Sequence, residues 1–109
     1  MAGLEQGDIV WTYFDPTKGS EQSGRRPALI ISLKDFNVMT GKVMVCPITT
    51  NAKAMPFNVE IDSDGVAGMV ICEQVRTLDL AARGYKPAGK LDESSLQHVL
   101  DIVAAILGI

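Results

Sequence analysis

The sequence predicts a mainly β fold, a curled sheet or small β-barrel, that ends in a C-terminal α-helix. Several short runs of β-branched or alternating residues are separated by Gly, Pro, Asn and Asp, as is typical of antiparallel strands. The end of the chain changes to a helical period of apolar residues. A length of 109 residues, of which 47% are hydrophobic, predicts a single domain spanning residues 1–109.

Five strands are predicted from the apolar runs: Ile9–Phe14, Ala28–Leu33, Lys42–Ile48, Phe57–Ile61 and Met69–Val75. Residues Tyr85–Lys90 are a candidate for a sixth short strand. Many short strands in so small a chain favour a sheet that curls or closes on itself.

A helix is predicted after Asp92, which is a good N-cap residue, and Asp92 and Glu93 place negative charge in its first turn. Gly108 suits its end. His98 falls nearly opposite the apolar stripe, so we expect it to be exposed. The stripe consists of Leu96, Val99, Leu100, Val103, Ile106 and Leu107.

Composition limits the classes of function. The N-terminus carries no basic and apolar leader, and no window approaches a membrane span, so we expect a cytoplasmic protein without membrane contact. Cys46 and Cys72 lie inside apolar runs and are expected to be reduced core residues. With one His and no CxxC, a zinc site lacks ligands, and the carboxylates show no spacing for Mg²⁺. We therefore expect no metal and no other cofactor.

The charge distribution points to a local basic patch. The net charge of −3 argues against non-specific adhesion to nucleic acid. Residues 1–55 hold six basic and five acidic residues, whereas residues 56–109 hold four and eight. Phosphate contacts are therefore expected near Lys18, Arg25, Arg26 and Lys53.

The most informative segment is Asp15–Ile30, in which a long polar stretch with two adjacent arginines precedes an apolar strand. Loops of about a dozen residues without secondary structure are uncommon in small domains unless they bind or catalyse something. Pro27 holds Arg26 in an extended conformation, so its guanidinium projects from a stiff point. This arrangement suits a cation directed at a phosphate.

The same segment begins a series of ordered blocks that resembles the MazF/PemK family of toxin endoribonucleases. The blocks are GDIVWTYFDPTKGSEQSGRRPALIIS, VCPITT, PFNVEI and ICEQVRTLDLAARG, followed by the amphipathic C-terminal stretch. The resemblance runs from about Gly7 to Leu107. It implies an SH3-like barrel, a homodimer, sequence-specific and metal-independent cleavage of single-stranded RNA, and inhibition by a cognate MazE-like antitoxin.

The resemblance implies catalytic roles for Arg26 and Thr49, which match the family's positions residue for residue. Cleaving RNA without a metal requires a base, an acid and positive charge on the phosphorane. Arg26 can stabilise that charge bidentately, and proton donation by a guanidinium of depressed pKa is the alternative. Thr49 follows a predicted strand end, where its hydroxyl could hold the scissile phosphate; turn capping is the alternative for Thr49 and Thr50.

Other residues of the polar segment are expected to support catalysis. Glu21 either accepts the 2′-hydroxyl proton or orients Arg26, and we favour orientation. Gln22 shares the matched S-E-Q block with Ser20 and Glu21. Arg25 and Lys18 are either phosphate clamps or solvated surface charges.

Base recognition is expected outside that segment. Gln74, which we place with Glu73 at the end of the fifth predicted strand, could bind a base edge, and Phe57 and Trp11 could stack bases. The core is the alternative for both aromatic residues. Changes within residues 50–56 and 62–68 are expected to alter base readout.

The chain is more similar to the MazF branch than to the Kid/PemK branch. In the latter, histidine, arginine and aspartate stand at the positions of Ser20, Ile71 and Glu73 and have been proposed to take part in cleavage. Two other functions are alternatives: a gyrase-poisoning toxin of the CcdB type, and an SH3-like module binding peptide or RNA. The Arg26-Pro27 and Ile48-Thr49 blocks argue against the first, and the aromatic-poor loops argue against the second.

Overall fold

The chain forms a curled antiparallel sheet with a C-terminal helix packed against it. The computed structural model describes residues 3–14, 25–50 and 55–109. In chain order the elements are β1 (Asp8–Thr12), β2 (Arg26–Ile30), α1 (Lys34–Thr40), β3 (Val43–Thr49), β4 (Asn58–Ser63), β5 (Val66–Ile71), β6 (Arg76–Leu78), α2 (Leu80–Arg83), β7 (Tyr85–Lys90) and α3 (Glu93–Leu107). The strands run in the order β4-β5-β3-β2-β1-β7, and β6 pairs with β3. The predicted mainly β class with a C-terminal helix is confirmed.

Both faces of the central strands are covered by apolar clusters. Along β2, Leu29 belongs to one cluster while Ala28 and Ile30 belong to the other, because successive side chains of a strand point to opposite faces. Because both faces of β2 and β3 are buried, the sequences of these strands are apolar at nearly every position. The cluster on the α3 side includes Ile9, Leu29, Cys46, Ile48, Val70 and Val99, and the opposite cluster includes Val10, Ala28, Ile30, Val45, Leu78 and Leu80.

The predicted strand Met69–Val75 is wrong at both ends. β5 starts at Val66 because Asp64 and Gly65, with φ of 51° and 82°, form a two-residue turn that pairs Ser63 with Val66. Positive φ at both turn positions is the geometry of tight hairpins, and Asp-Gly is a strong sequence signal for it. The strand stops at Ile71, whose carbonyl accepts the Gln74 N–H at 3.2 Å. We refer to β4, β5 and their turn as the β4–β5 hairpin.

Three short elements were not predicted, namely α1, β6 and α2, whereas the candidate sixth strand is confirmed as β7. Helix α1 carries no side-chain hydrogen bond at its N-cap, so it lacks the usual sequence signal. It is held instead by the buried Asn37, whose amide donates to the Leu4 carbonyl at 3.1 Å. This contact is tertiary and could not be read from local sequence.

The predicted C-terminal helix is confirmed with its caps. The Asp92 carboxylate accepts the Ser95 N–H at 3.0 Å, and Gly108 ends the helix with φ of 76°. His98 is exposed, as predicted. The apolar stripe is buried at Val99 but is exposed at its end, where Leu107 is 65% exposed. Among the described residues, no helix combines the length and apolar character that crossing a membrane would require.

The two cysteines are free and buried, which confirms their predicted core role. Burial is the main cause that raises the pKa of Cys46 to about 12 and that of Cys72 to about 11. Both thiols are therefore protonated at neutral pH.

Candidate active site

Strand register brings the two predicted catalytic residues side by side. Thr12 of β1 pairs with Arg26, and Ala28 of β2 pairs with Pro47 of β3. Arg26 and Thr49 each lie two residues beyond this last pair, at the same end of the antiparallel ladder. Arg26 is the first residue of β2 and Thr49 the last of β3, so both stand at the same rim of the sheet.

A surface pocket of about 520 Å³ lies at this rim. Five predicted site residues line it, namely Trp11, Arg25, Arg26, Thr49 and Thr50. The other lining residues are Pro27, Ile48, Gly65, Val66 and Ala67. The pocket thus combines two guanidinium groups and two hydroxyls with an aromatic ring and a small apolar wall. Such a combination suits a phosphate joined to a base.

The tip of the β4–β5 hairpin supplies the wall formed by Gly65, Val66 and Ala67. From sequence, these residues are predicted only as part of the loop segment 62–68, in which changes alter base readout. In the structure they form a turn and the start of a strand. The Asp64-Gly65 dipeptide is the signal that could have located them.

The hairpin approaches the rim of β3 closely. A Cβ atom added at Gly68 would lie 2.8 Å from the carbonyl oxygen of Thr49, so glycine is needed where the two strands meet. The pairing between β3 and β5 covers only Ile48 with Val70 and Thr49 with Met69. The wall residues lie just beyond this short ladder.

Two other arginines contact the stretch that follows β1. Arg83 donates to the carbonyl oxygens of Tyr13 at 3.0 Å and Phe14 at 2.7 Å. The guanidinium of Arg76 lies 5.5 Å from the centre of the Phe14 ring. These contacts fix the end of the stretch that follows β1. In the part of the chain that the structure describes, no carboxylate forms an ion pair with Arg25 or Arg26.

Other predicted site residues are not brought to the pocket. Phe57, Glu73 and Gln74 are exposed and are not among its lining residues. The Phe57 carbonyl accepts the Cys72 N–H at 3.0 Å, which places these residues at the open end of the β4–β5 hairpin, away from its tip. The prediction that Glu73 and Gln74 end a strand is wrong, because they lie in the turn and connection after β5.

Five predicted residues fall outside the described ranges, namely Lys18, Ser20, Glu21, Gln22 and Lys53. Within residues 3–14, 25–50 and 55–109, no three His, Cys, Asp or Glu side chains gather to hold a metal ion.

Comparison with known proteins finds bacterial toxins along nearly the whole chain. A family model described as a PemK-like, MazF-like toxin of type II toxin–antitoxin systems matches residues 5–107. The endoribonuclease toxin MazF of Escherichia coli K12 is 36% identical over 104 residues, covering 95% of this chain and 94% of MazF. The endoribonuclease PemK of Escherichia coli is 38% identical over 109 residues, covering 95% of this chain and 82% of PemK.

Solved structures agree with the sequence comparison. The crystal structure of MazF from Deinococcus radiodurans superposes with a TM-score of 0.85 at 36% identity and covers 97% of both chains. A chain of a MazE–MazF crystal structure from the same organism superposes with a TM-score of 0.87 at 34% identity and also covers 97% of both chains.

Proposed function

Because the chain belongs to the PemK-like, MazF-like family of toxins of type II toxin–antitoxin systems, we propose that it is a sequence-specific, metal-independent endoribonuclease. Its site is the pocket at the rim of β2 and β3, and its substrate is single-stranded RNA. One observation supports this placement above the others. Arg25 and Arg26 share the pocket with Thr49 and Thr50, although the two pairs come from separate segments of the chain.

The proposed reaction uses the nucleophile of the substrate itself. The RNA 2′-hydroxyl loses its proton to a base as its oxygen attacks phosphorus, the bond from phosphorus to the 5′-oxygen breaks, and the 5′-oxygen takes up a proton from an acid. The products are a 2′,3′-cyclic phosphate and a 5′-hydroxyl. Arg26 stabilises the charge that develops on the phosphorane, since its planar fork can bind two phosphate oxygens. The Thr49 hydroxyl holds the scissile phosphate, and Arg25 contacts a neighbouring one.

Base recognition is proposed for the apolar side of the pocket. Trp11 stands on β1, is 37% exposed and lines the pocket beside Pro27, with which it is paired. An exposed indole face on a rigid strand can stack an unpaired base. The wall formed by Gly65, Val66 and Ala67 limits which base fits beside it.

The direct test is cleavage of a long unstructured RNA by purified protein in EDTA, followed by mapping of the cut ends. We expect cuts at one short motif, a 5′-hydroxyl on one product, and a 2′,3′-cyclic phosphate or 3′-phosphate on the other. The matching all-DNA strand should stay intact, because it lacks the nucleophile. Activity that EDTA abolishes and Mg²⁺ restores, or products with 5′-phosphate ends, would contradict the mechanism.

We further propose a cognate antitoxin partner, a homodimeric state and a cytoplasmic location. MazE–MazF complexes have been solved for relatives from Deinococcus radiodurans. An acidic, partly disordered antitoxin segment that covers Arg25 and Arg26 would compete with RNA for the same cations. An apolar anchor beside them would make its binding only modestly dependent on salt.

A competition experiment between antitoxin and RNA tests the proposed antitoxin site. RNA carrying 2′-deoxyribose at the scissile position binds without being cut and should be displaced as antitoxin is added. A stable ternary complex at every site of the protein would show that the antitoxin binds elsewhere.

A further inference from the structure

The tip of the β4–β5 hairpin is tied to the opposite edge of the sheet. The Asp64 carboxylate accepts the backbone N–H of Lys90, in β7, at 3.0 Å. Beside it, the Ser63 hydroxyl lies 3.2 Å from the carboxylate of Asp92, the N-cap residue of α3. β4 and β7 are the two ends of the strand order and are not paired with each other. These side-chain contacts therefore join the ends of the curled sheet.

Strand β7 has a glycine and an irregular register where the hairpin tip packs against it. A Cβ atom added at Gly89 would lie 2.6 Å from the Cβ of Asp64, and Gly89 has a φ of 142°. The register of β7 against β1 shifts between Ile9 and Val10, so the strand is irregular at this point. Irregularities of this kind bend a strand and leave backbone groups outside the ladder. Lys90, paired with Asp8, lies next to this irregularity in the last strand of the sheet order, and Asp64 accepts its backbone N–H.

Asp64 itself adopts an unfavourable backbone conformation. With φ of 51°, it is the one non-glycine residue of positive φ in the part of the chain that the structure describes. The next three residues, Gly65, Val66 and Ala67, form the pocket wall. The wall is held by the pairing of Val66 and Ala67 with β4, whereas the ladder between β3 and β5 reaches only to Thr49 and Met69. The contact of Asp64 with Lys90 is a further support, on the side of β7.

We infer that Asp64 is a positioning residue: its hydrogen bond to the Lys90 N–H holds the pocket wall at the distance from Arg26 and Thr49 that selects the RNA sequence. The inference rests on the proposed endoribonuclease function. Arg26 and Thr49 stand on β2 and β3, and the ladder that pairs Thr49 with Met69 does not include Asp64. Loss of the bond should therefore weaken substrate binding and sequence selection and leave the chemical step nearly unchanged.

Two substitutions separate the hydrogen bond from the charge. Asp64→Asn keeps an acceptor oxygen and tolerates positive φ, but removes the negative charge. Asp64→Gly adopts positive φ without steric cost and removes both the acceptor oxygen and the negative charge. A purely electrostatic effect on RNA would be the same in the two variants. A positioning effect appears only in Asp64→Gly.

The first measurement is steady-state cleavage of a short fluorescent RNA that carries one site mapped with the wild type, together with the cut pattern on a long RNA. For Asp64→Gly we expect KM to rise about tenfold, the effect of losing one hydrogen bond, with kcat within about twofold and added cuts at related motifs. Asp64→Asn should have a KM, a kcat and a cut pattern close to those of the wild type. The inference is wrong if the two variants behave alike, or if Asp64→Gly keeps the wild-type KM and cut pattern.

The second measurement is amide hydrogen exchange of Lys90 and of Gly65, Val66 and Ala67, which requires no RNA. Protection should fall in Asp64→Gly and persist in Asp64→Asn. Wild-type protein that cuts no RNA would overturn the proposed function, while the exchange data would still decide whether the contact holds the wall. Unchanged protection of Lys90 in Asp64→Gly would overturn the positioning role even in an active enzyme.

Discussion

The four arginines of the chain fall into two kinds by their contacts. Arg83 and Arg76 are bound to the chain itself, through the carbonyls of Tyr13 and Phe14 and through the Phe14 ring. Arg25 and Arg26 are exposed and line the pocket. The first pair contributes to the stability of the fold, and the second is placed to meet an anion. All four residues are arginines and carry the same charge, so only their contacts in the structure distinguish their roles.

Arg26→Ala should lower cleavage by on the order of a hundredfold, because a guanidinium that stabilises the phosphorane acts mainly on the transition state. The melting temperature should change little, since Arg26 is exposed. Arg26→Lys should recover little activity, because an ammonium lacks the planar fork. Rates on a defined RNA and thermal melts measure both effects.

Arg25→Ala is the matched control for Arg26. It removes the same group from the adjacent residue of the same pocket and should cost far less activity. An inactive Arg25→Ala variant beside an active Arg26→Ala variant would place the catalytic arginine one residue earlier.

Cys46 and Cys72 should be unreactive in the folded protein. Their pKa values are raised to about 12 and about 11, mainly by burial, so the reactive thiolate is scarce from neutral pH to about pH 9. A colorimetric thiol reagent at pH 8 should detect no fast-reacting group in the native state and two in denaturant. Rapid labelling of the native protein would show that the thiols are accessible.

At the scale of elements, hairpin and helix ends are specified by single polar residues. The Asp92 carboxylate caps α3 by accepting the Ser95 N–H and the Ser94 hydroxyl at 2.9 Å. Asp64 and Gly65 likewise set the β4–β5 hairpin. Helix α1 lacks a side-chain cap, and its start is fixed by packing. Helix α3, which has both a cap and a helical period, was predicted, and α1, which has no side-chain cap, was not. Helix α2 was not predicted although Asp79 caps it by accepting the Ala82 N–H at 3.2 Å, because its four residues are too few to show a helical period.

Removal of the α3 cap should lower stability in a way that depends on pH. The hydrogen bond from the Ser95 backbone is the main cause that lowers the pKa of Asp92 from 3.8 to about 2. The folded state therefore binds the proton less readily, and the stabilisation is full above pH 3.8 and is lost as pH falls towards 2. Asp92→Ala should reduce the melting temperature by about 5 °C at pH 7.

Asp92→Asn keeps a capping oxygen without a titratable group and serves as the control. Its melting temperature at pH 7 should stay near that of the wild type, and the difference between the two should vary only below about pH 4. Equal losses in Asp92→Asn and Asp92→Ala would show that charge, not capping, supports the helix.

At the scale of the molecule, the predicted family is confirmed by the match over residues 5–107, and the predicted enzyme class agrees with relatives named as endoribonucleases. Among the described residues, exposed apolar side chains are most numerous in two regions. One lies along and beside α1, where Met39 is 83% exposed, and the other lies at the end of α3, with Ile106, Leu107 and Ile109. Exposed apolar residues concentrated in this way are typical of protein interfaces.

We expect a homodimer in solution, because association would cover apolar surface that one chain leaves exposed. Light scattering at micromolar concentration should give twice the chain mass of 11.7 kDa. Leu107→Lys and Met39→Lys test the two regions separately, since a buried lysine at the interface should dissociate the dimer. A mass near 11.7 kDa for the wild type would contradict the prediction.

The sequence by itself determined the mainly β class, the C-terminal helix with both of its caps, the buried cysteines and the family. These features depend on local periodicity, on capping chemistry, or on the order of blocks along the chain. It also identified Arg26 and Thr49 as the residues on which a phosphate site would depend. All of these signals lie within short stretches of sequence.

Only the tertiary structure decided which of the candidate residues share a site. The pairing of β2 with β3 brought Arg26 and Thr49 to one rim of the sheet, and the hairpin tip completed the pocket with residues that carry no chemical signal of their own. Phe57, Glu73 and Gln74 were separated from that pocket because β5 ends at Ile71. The contact of Asp64 with Lys90 joins residues far apart in the chain. Pairings between distant strands depend on packing of the whole sheet, and local sequence does not encode them.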